Sequence, residues 1–342
     1  MKRGVRILLL LVGLALFGLF LHTTGWKDIQ GAFHTLGWWG LLVLAPYGLV
    51  FTVDTAGWGF AFSRDGLKQV AFHVLWGIRL AGEAVNNVIP SMYVGGEATK
   101  VYLLHQRGVP GLTATSAAVR SKTAQSVAQS TFLVCGAVVA AYSLPSEQNT
   151  AKWIFGLLAA GALGVMLLLF ALQSRGMTRT LAGVVQRMGV MVHWIEARMD
   201  QLRHLDEQIV EFYRRDRSQF LACTLTYFGG WMLDTVEILV ASHLLGTPVE
   251  WHHAFAIEAF IGLARGFNTV VPGALGVQEF SVIGLFTLFG YPLELGKQYA
   301  VIRRGRDVVY TVLGWLLLYT SEASLRGLRE RVRDDAGPTH GA

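Results

Sequence analysis

Two matched sets of ionisable and amide side chains stand in stretches that are otherwise apolar. Asn86-Asn87-Val88-Ile89-Pro90 followed by Glu97, and Asn268-Thr269-Val270-Val271-Pro272 followed by Glu279, both read N-x-V-x-P-x6-E. A basic pair follows each: Arg120 and Lys122 lie 30 and 32 positions after Pro90, and Arg303 and Arg304 lie 31 and 32 after Pro272. Carboxylates, carboxamides and cationic groups in this combination bind polar headgroup-like chemistry, and the paired N–H donors of Arg match phosphate oxygens. A charge at the centre of a bilayer costs about 2.5–3.5 kcal/mol even on the mildest scale. Several of them in both halves of a hydrophobic chain therefore argue for a site.

Within the first copy, Glu83, Asn86 and Asn87 have i, i+3 and i+4 spacing and are expected to project from one helical face toward the break. Glu97 follows Gly95-Gly96 at the start of a returning helix, where a carboxylate suits the positive end of the dipole and Lys100 is within i, i+3 reach. In the second copy Glu258, Arg265 and Asn268 precede the break at Pro272, and Glu279 opens the return. Glu83 and Arg265 each stand seven before their proline, so the copies carry opposite charge there. Asp54, Asp234 and Glu237 either relay protons or pair with arginines across the bundle. His243, Glu250, His252 and His253 have a metal-like composition without a recognised ligand spacing, and read as interfacial residues. No metal or other cofactor is expected. Phosphate loops, nucleophile elbows and paired-carboxylate hydrolase patterns are not recognisable, which argues against an enzyme.

The elements that must position these groups are membrane-embedded. Of the 342 residues, 53% are hydrophobic and 15% charged, with mean hydropathy +0.43. The net charge of +6 falls mainly in loops between apolar stretches, where anionic lipid headgroups rather than nucleic acid are the natural partner. Cys135 and Cys223 lie within apolar segments, so a disulfide framework is not expected. Full spans fit Ile7–Leu21 (an uncleaved signal-anchor), Gly37–Phe62, Leu112–Leu144, Trp153–Gln173, Phe220–Gly246 and Leu295–Ser321, six in all.

Two further apolar stretches, 70–104 and 254–289, are broken at Pro90 with Gly95-Gly96 and at Pro272-Gly273 with Gly276, and read as re-entrant helical hairpins. The Lys/Arg bias places both termini in the cytoplasm and makes the two hairpins enter from opposite sides. The fold class is thus an all-α integral membrane protein: six transmembrane helices plus two re-entrant hairpins in an inverted repeat, a transporter signature. The expected organisation is a first half (1–144), an amphipathic helical connector on the cytoplasmic surface (174–219), a second half (220–322) and a cytoplasmic tail (323–342).

These residues carry a resemblance. Gly82-Glu83 through Asn87-x-x-Pro90, then Gly95-Gly96-Glu97-x-x-Lys100-x-Tyr102-Leu103-Leu104, is similar to the first signature of the lysylphosphatidylglycerol synthase transmembrane, or flippase-like, family. Pro272-Gly273-Ala274-Leu275-Gly276-Val277-Gln278-Glu279 resembles its second, and Arg303-Arg304 the basic helix after it. Within the family, the run G-E-A-V-N-N-x-x-P looks most like the branch associated with hopanoid biosynthesis. The resemblance implies movement of a phospholipid or hopanoid between leaflets of a bacterial inner membrane. Arg120-Ser121-Lys122 departs from the usual Glu-Arg with a later Asp, and the cytoplasmic aminoacyl-transfer domain of two-module members is not matched, so lysylphosphatidylglycerol synthesis is not implied.

The expected mechanism docks a headgroup on Arg120/Lys122 or Arg303/Arg304, with Glu97 and Glu279 as gates or proton acceptors. The alternatives are a membrane-embedded lipid-modifying enzyme using the same carboxylates, and a non-catalytic assembly partner of lipid-biosynthesis enzymes.

Overall fold

The computed structural model describes residues 37–62, 70–88, 94–144, 146–174, 216–266 and 272–335, with single positions elsewhere. The expected first span, most of the connector, Pro90 and Asn268 lie outside the described residues. Among those described there is no strand. The helices are α1 (Leu41–Phe60), α2 (Phe72–Val88), α3 (Val94–His105), α4 (Gly111–Ser143), α5 (Asn149–Ser174), α6 (Arg217–Leu244), α7 (Trp251–Arg265), α8 (Val277–Leu288) and α9 (Leu293–Asp335). Short 3-10 turns occur at Gly37–Gly40, Ser146–Gln148 and Pro272–Ala274.

Among the described residues, three stretches, Gly37–Phe60, Gly111–Ser143 and Asn149–Leu168, are long and apolar enough to cross a membrane. α6, with 28 residues, is about 42 Å long and also exceeds the hydrocarbon thickness. Its Asp234 and Glu237 are buried. α9 runs unbroken for 43 residues, so the expected end of the last span at Ser321 is not a helix end. The segment expected to be tail continues as helix to Asp335, since Leu, Arg and Glu dominate it and Gly337-Pro338 is the first strong breaker pair.

Much apolar surface faces outward. Leu157, Val165, Leu167 and Leu168 of α5 are more than half exposed, an arrangement suited to hydrocarbon and costly in water. α1 and α6 run antiparallel, with Gly57 against Tyr227 and Gly230 against Asp54, and α4 and α7 likewise, with Gln129 donating to the Gly262 carbonyl at 3.2 Å. One end of the bundle consequently gathers Trp38, Trp39, Tyr142, Trp153 and Trp251, all strongly exposed, as an aromatic girdle at a membrane interface requires.

Two apolar cores lie inside. One packs Trp58, Leu75, Ile78, Leu103, Leu104 and Cys223 between α1, α2, α3 and α6. The other packs Phe132, Ile238, Ile257, Phe260, Phe286 and Tyr299 between α4, α6, α7, α8 and α9.

On either side of each expected break a described helix packs back against the one before it; Gly95-Gly96, expected at the first break, lie inside α3. α3 comes back alongside α2, close enough that a Cβ on Gly96 would overlap the Asn86 amide and the Gly82 carbonyl oxygen. The Asn86 side chain fills that approach by accepting the Gly96 N–H at 2.9 Å, which satisfies an orphan donor in the first turn of α3. α7 stops at Arg265, and the chain resumes with the 3-10 turn at Pro272, where Gly273 has φ 61° and Gly276 φ 78°. Both glycines occupy backbone conformations that other residues adopt only with strain. α8 then returns along α7, with Tyr291 Oη accepting the Glu250 N–H at 3.0 Å.

Candidate functional site

Glu97 and Glu279 sit in the first turns of the two returning helices and do the same thing. Glu97 Oε1 is 3.2 Å from Lys122 Nζ, and Glu279 pairs with Arg304. Each partner lies 25 residues after its carboxylate, on the long helix that follows, so the duplicated spacing corresponds to a duplicated contact. Glu97 is also bound by Lys100 at 2.8 Å, as the i, i+3 spacing anticipates. Glu279 Oε2 accepts the Gly276 N–H at 2.8 Å, and Arg304 donates to the Gly273 carbonyl at 2.9 Å. The Glu279–Arg304 pair thus holds the turn at the second break in place.

A denser network occupies the second half. Arg303 and Glu258, both fully buried, form a two-pronged ion pair at 2.6 and 2.7 Å, and Arg303 also donates to Tyr299 Oη at 2.7 Å. Tyr299 donates in turn to Glu237 at 3.1 Å. Arg306 pairs with Glu237, bonds Asp307 at 2.7 Å and lies 3.6 Å over the ring of Tyr47. Arg265 reaches Asp234 at 3.2 Å and Glu258 at 3.5 Å. In the first half Asp54 pairs with Arg79. Asp54, Asp234 and Glu237 therefore pair with arginines, the second of the two readings that the sequence left open. Such partners offset the cost of burying ionised groups.

Two cavities open between these networks. The first, about 260 Å³, is lined by Asp54, Arg79, Glu83, Lys122, Gln125, Ser126, Gln129, Tyr227, Trp231, Asp234 and Arg265, among others. Its formal charges balance, with Arg79, Lys122 and Arg265 against Asp54, Glu83 and Asp234. The second, about 450 Å³, carries Glu83, Asn87, Arg265, Gln278, Arg304 and Asp307 at its polar part and Val88, Leu275, Val308 and Val312 elsewhere. Val88, Val308 and Val312 are each at least half exposed, so this cavity reaches the apolar outer surface. Tyr47, Glu83 and Arg265 line both cavities and mark where they meet.

The cations of both linings are held in ion pairs: Arg79 by Asp54, Lys122 by Glu97, Arg265 by Asp234 and Arg304 by Glu279. Glu83 differs. Among the described residues its carboxylate has no hydrogen bond or ion pair, although it is only partly exposed.

The sequence-derived candidates divide accordingly. Glu83, Asn87, Lys122, Arg265 and Arg304 line the cavities. Asn86 does not join them: α3 packs against this side of α2, and the Asn86 side chain caps it by accepting the Gly96 N–H. Asn87 instead donates to Thr311 at 3.2 Å. Lys100 is buried against Glu97 and Trp58. Glu97 and Glu279 position the cations rather than line either cavity. Pro272 begins the 3-10 turn at the second break.

The docking expected at Arg120 and Arg303 falls away from these two cavities. Arg120 is buried beside the Phe212 ring at 5.1 Å, Arg303 is enclosed with Glu258, and neither lines either of these two cavities. Arg79, Tyr47, Gln125, Gln129 and Trp231 were not singled out by sequence. Arg79 had a usable signal, a lone charge four residues before Glu83 in an apolar helix.

Comparison with known proteins places the chain. Residues 6–314 match the family described as lysylphosphatidylglycerol synthase TM region. A UPF0104 membrane protein of Methanothermobacter thermautotrophicus is 21% identical over 275 residues, covering 77% of each chain. No solved structure matches the chain. With several apolar helices around a charged interior and a family match over most of its length, the chain belongs to the lysylphosphatidylglycerol synthase TM region family.

Proposed function

We propose that this protein moves a membrane lipid, a phospholipid or a hopanoid, between the leaflets of a bacterial inner membrane. The observation that carries the reading is the pair of adjoining cavities. One is lined by charged side chains, the other passes from Arg265, Arg304 and Glu83 to the exposed valines of α2 and α9. An amphiphile matches that gradient, with its headgroup among the ion pairs and its tail at Val308 and Val312. Because the cations already have carboxylate partners, Glu83 is the strongest contact for an incoming group, and it takes an amine or hydroxyl donor.

The finer architecture belongs to the same proposal: six spans, two re-entrant hairpins in an inverted repeat, and both termini in the cytoplasm. The shared 25-residue contact in the two copies supports it. The test is leaflet exchange in proteoliposomes with headgroup- and ring-labelled lipids and an impermeant quencher. Wild-type protein exchanges at least one lipid class and Glu83→Gln slows that exchange about tenfold or more, the loss of one charge-assisted hydrogen bond of about 1.5–3 kcal/mol. Absence of exchange for every lipid tested, or an unchanged rate in Glu83→Gln, contradicts it.

A further inference from the structure

The girdled end of the bundle holds a side-chain cluster separate from both cavities. Glu250, His252 and His253 each offer one donor atom, and the three donors lie within 4.8 Å of one another. Glu250 Oε2 and His252 Nε2 are 3.3 Å apart. Donors arranged tetrahedrally about zinc with bonds of 2.0–2.1 Å stand about 3.3 Å from each other, so these two are already at ligand spacing. A side-chain rotation of His253 completes a set of three.

The supporting contacts are also in place. His253 Nδ1 lies 2.8 Å from Tyr291 Oη, and the same oxygen accepts the backbone N–H of Glu250. One phenol thus anchors a ligand ring and the backbone of a second ligand, and leaves His253 Nε2 as the ring nitrogen available to an ion. Metal-bound imidazoles are ordinarily oriented through their other nitrogen in this way. Two imidazoles and a carboxylate favour a first-row transition ion over magnesium or calcium.

We propose that Glu250, His252 and His253 form a three-ligand site for a divalent transition-metal ion, zinc or a close equivalent, with a fourth position open to water. The site joins the connection before α7 to the connection before α9 through Tyr291. All three ligands stand at the start of α7, the helix that supplies Arg265, and a bound ion braces that turn without touching either cavity.

The test uses the purified full-length chain in detergent, free of any polyhistidine tag, with cobalt as a visible probe and zinc as competitor. Tetrahedral cobalt absorption should saturate at one ion per chain and be displaced by zinc. His252→Ala and His253→Ala should abolish it, whereas His243→Ala, an exposed histidine nearby, should retain it. Tyr291→Phe keeps the ring but removes the anchoring oxygen, and should weaken binding about tenfold or more. Lack of saturable binding by the wild-type chain, or binding unchanged in both histidine variants, overturns the proposal. Metal-free thermal unfolding of each variant separates loss of the site from loss of the fold.

Discussion

Replacing Arg303 by Met strips Glu258 of both its short hydrogen bonds, at 2.6 and 2.7 Å, and removes the donor to Tyr299. Both members of the pair are fully buried, so water cannot take over. Breaking a buried pair from one side costs about 3–5 kcal/mol because the remaining charge is stranded. Arg265 stays 3.5 Å from Glu258 and retains part of the compensation, which sets the expectation at about 3 kcal/mol. That amounts to a change of about 150-fold in the folding equilibrium.

The double variant Arg303→Met/Glu258→Leu removes both charges at similar volume, leaves Arg265 with Asp234, and should return to within about 1 kcal/mol of wild type. The assay is reversible unfolding in mixed micelles, followed by tryptophan fluorescence. A single variant that loses less than about 1 kcal/mol, or a double variant as unstable as the sum of its singles, refutes the reasoning.

Other outcomes follow from the same geometry. Gly96→Ala drives a methyl into the Asn86 amide and the backbone of Gly82, and should cost about 1–3 kcal/mol in a thermal or denaturant melt; Gly156→Ala, on the exposed α5 with open space around it, should be neutral or stabilising by up to about 1 kcal/mol. The two duplicated pairs should differ in double-mutant cycles. Lys122 is more than a third exposed, so Glu97–Lys122 should couple by less than about 1 kcal/mol. Glu279–Arg304, almost wholly enclosed, should couple by more than about 1.5 kcal/mol. Gly273→Ala places a methyl at φ 61° beside the Arg304 guanidinium, and should both destabilise the chain and slow lipid exchange in the proteoliposome assay.

The turn at Pro272-Gly273 was legible because Pro and Gly act locally on the backbone. Glu97 with Lys100 was legible for the same reason, being a contact within one helical turn. The duplicated spacing from Glu97 to Lys122 and from Glu279 to Arg304 was visible as arithmetic, but its meaning as an ion pair required the long helices to be folded back against the hairpins.

Reach across the bundle was the illegible part. Arg303 and Arg304 are adjacent in sequence and look equivalent, yet adjacent helical residues point about 100° apart. One is therefore sealed against Glu258 and the other faces a cavity. Asn86 shows the same limit, since helical spacing alone did not say which side the returning helix would take. At the girdled end, Glu250, His252 and His253 are neighbours in sequence but match no linear metal motif, and the anchoring Tyr291 arrives from 38 residues beyond His253.

The central claim is that lipid headgroups cross through the charged cavity. The most direct measurement compares exchange rates in proteoliposomes for Gln125→Trp, which fills that cavity, and Leu157→Trp, which adds the same side chain on the exposed surface of α5. The account predicts that Gln125→Trp abolishes exchange while Leu157→Trp keeps the wild-type rate, with both proteins folded by thermal melt. Equal exchange by the two variants would place the lipid path elsewhere and contradict it.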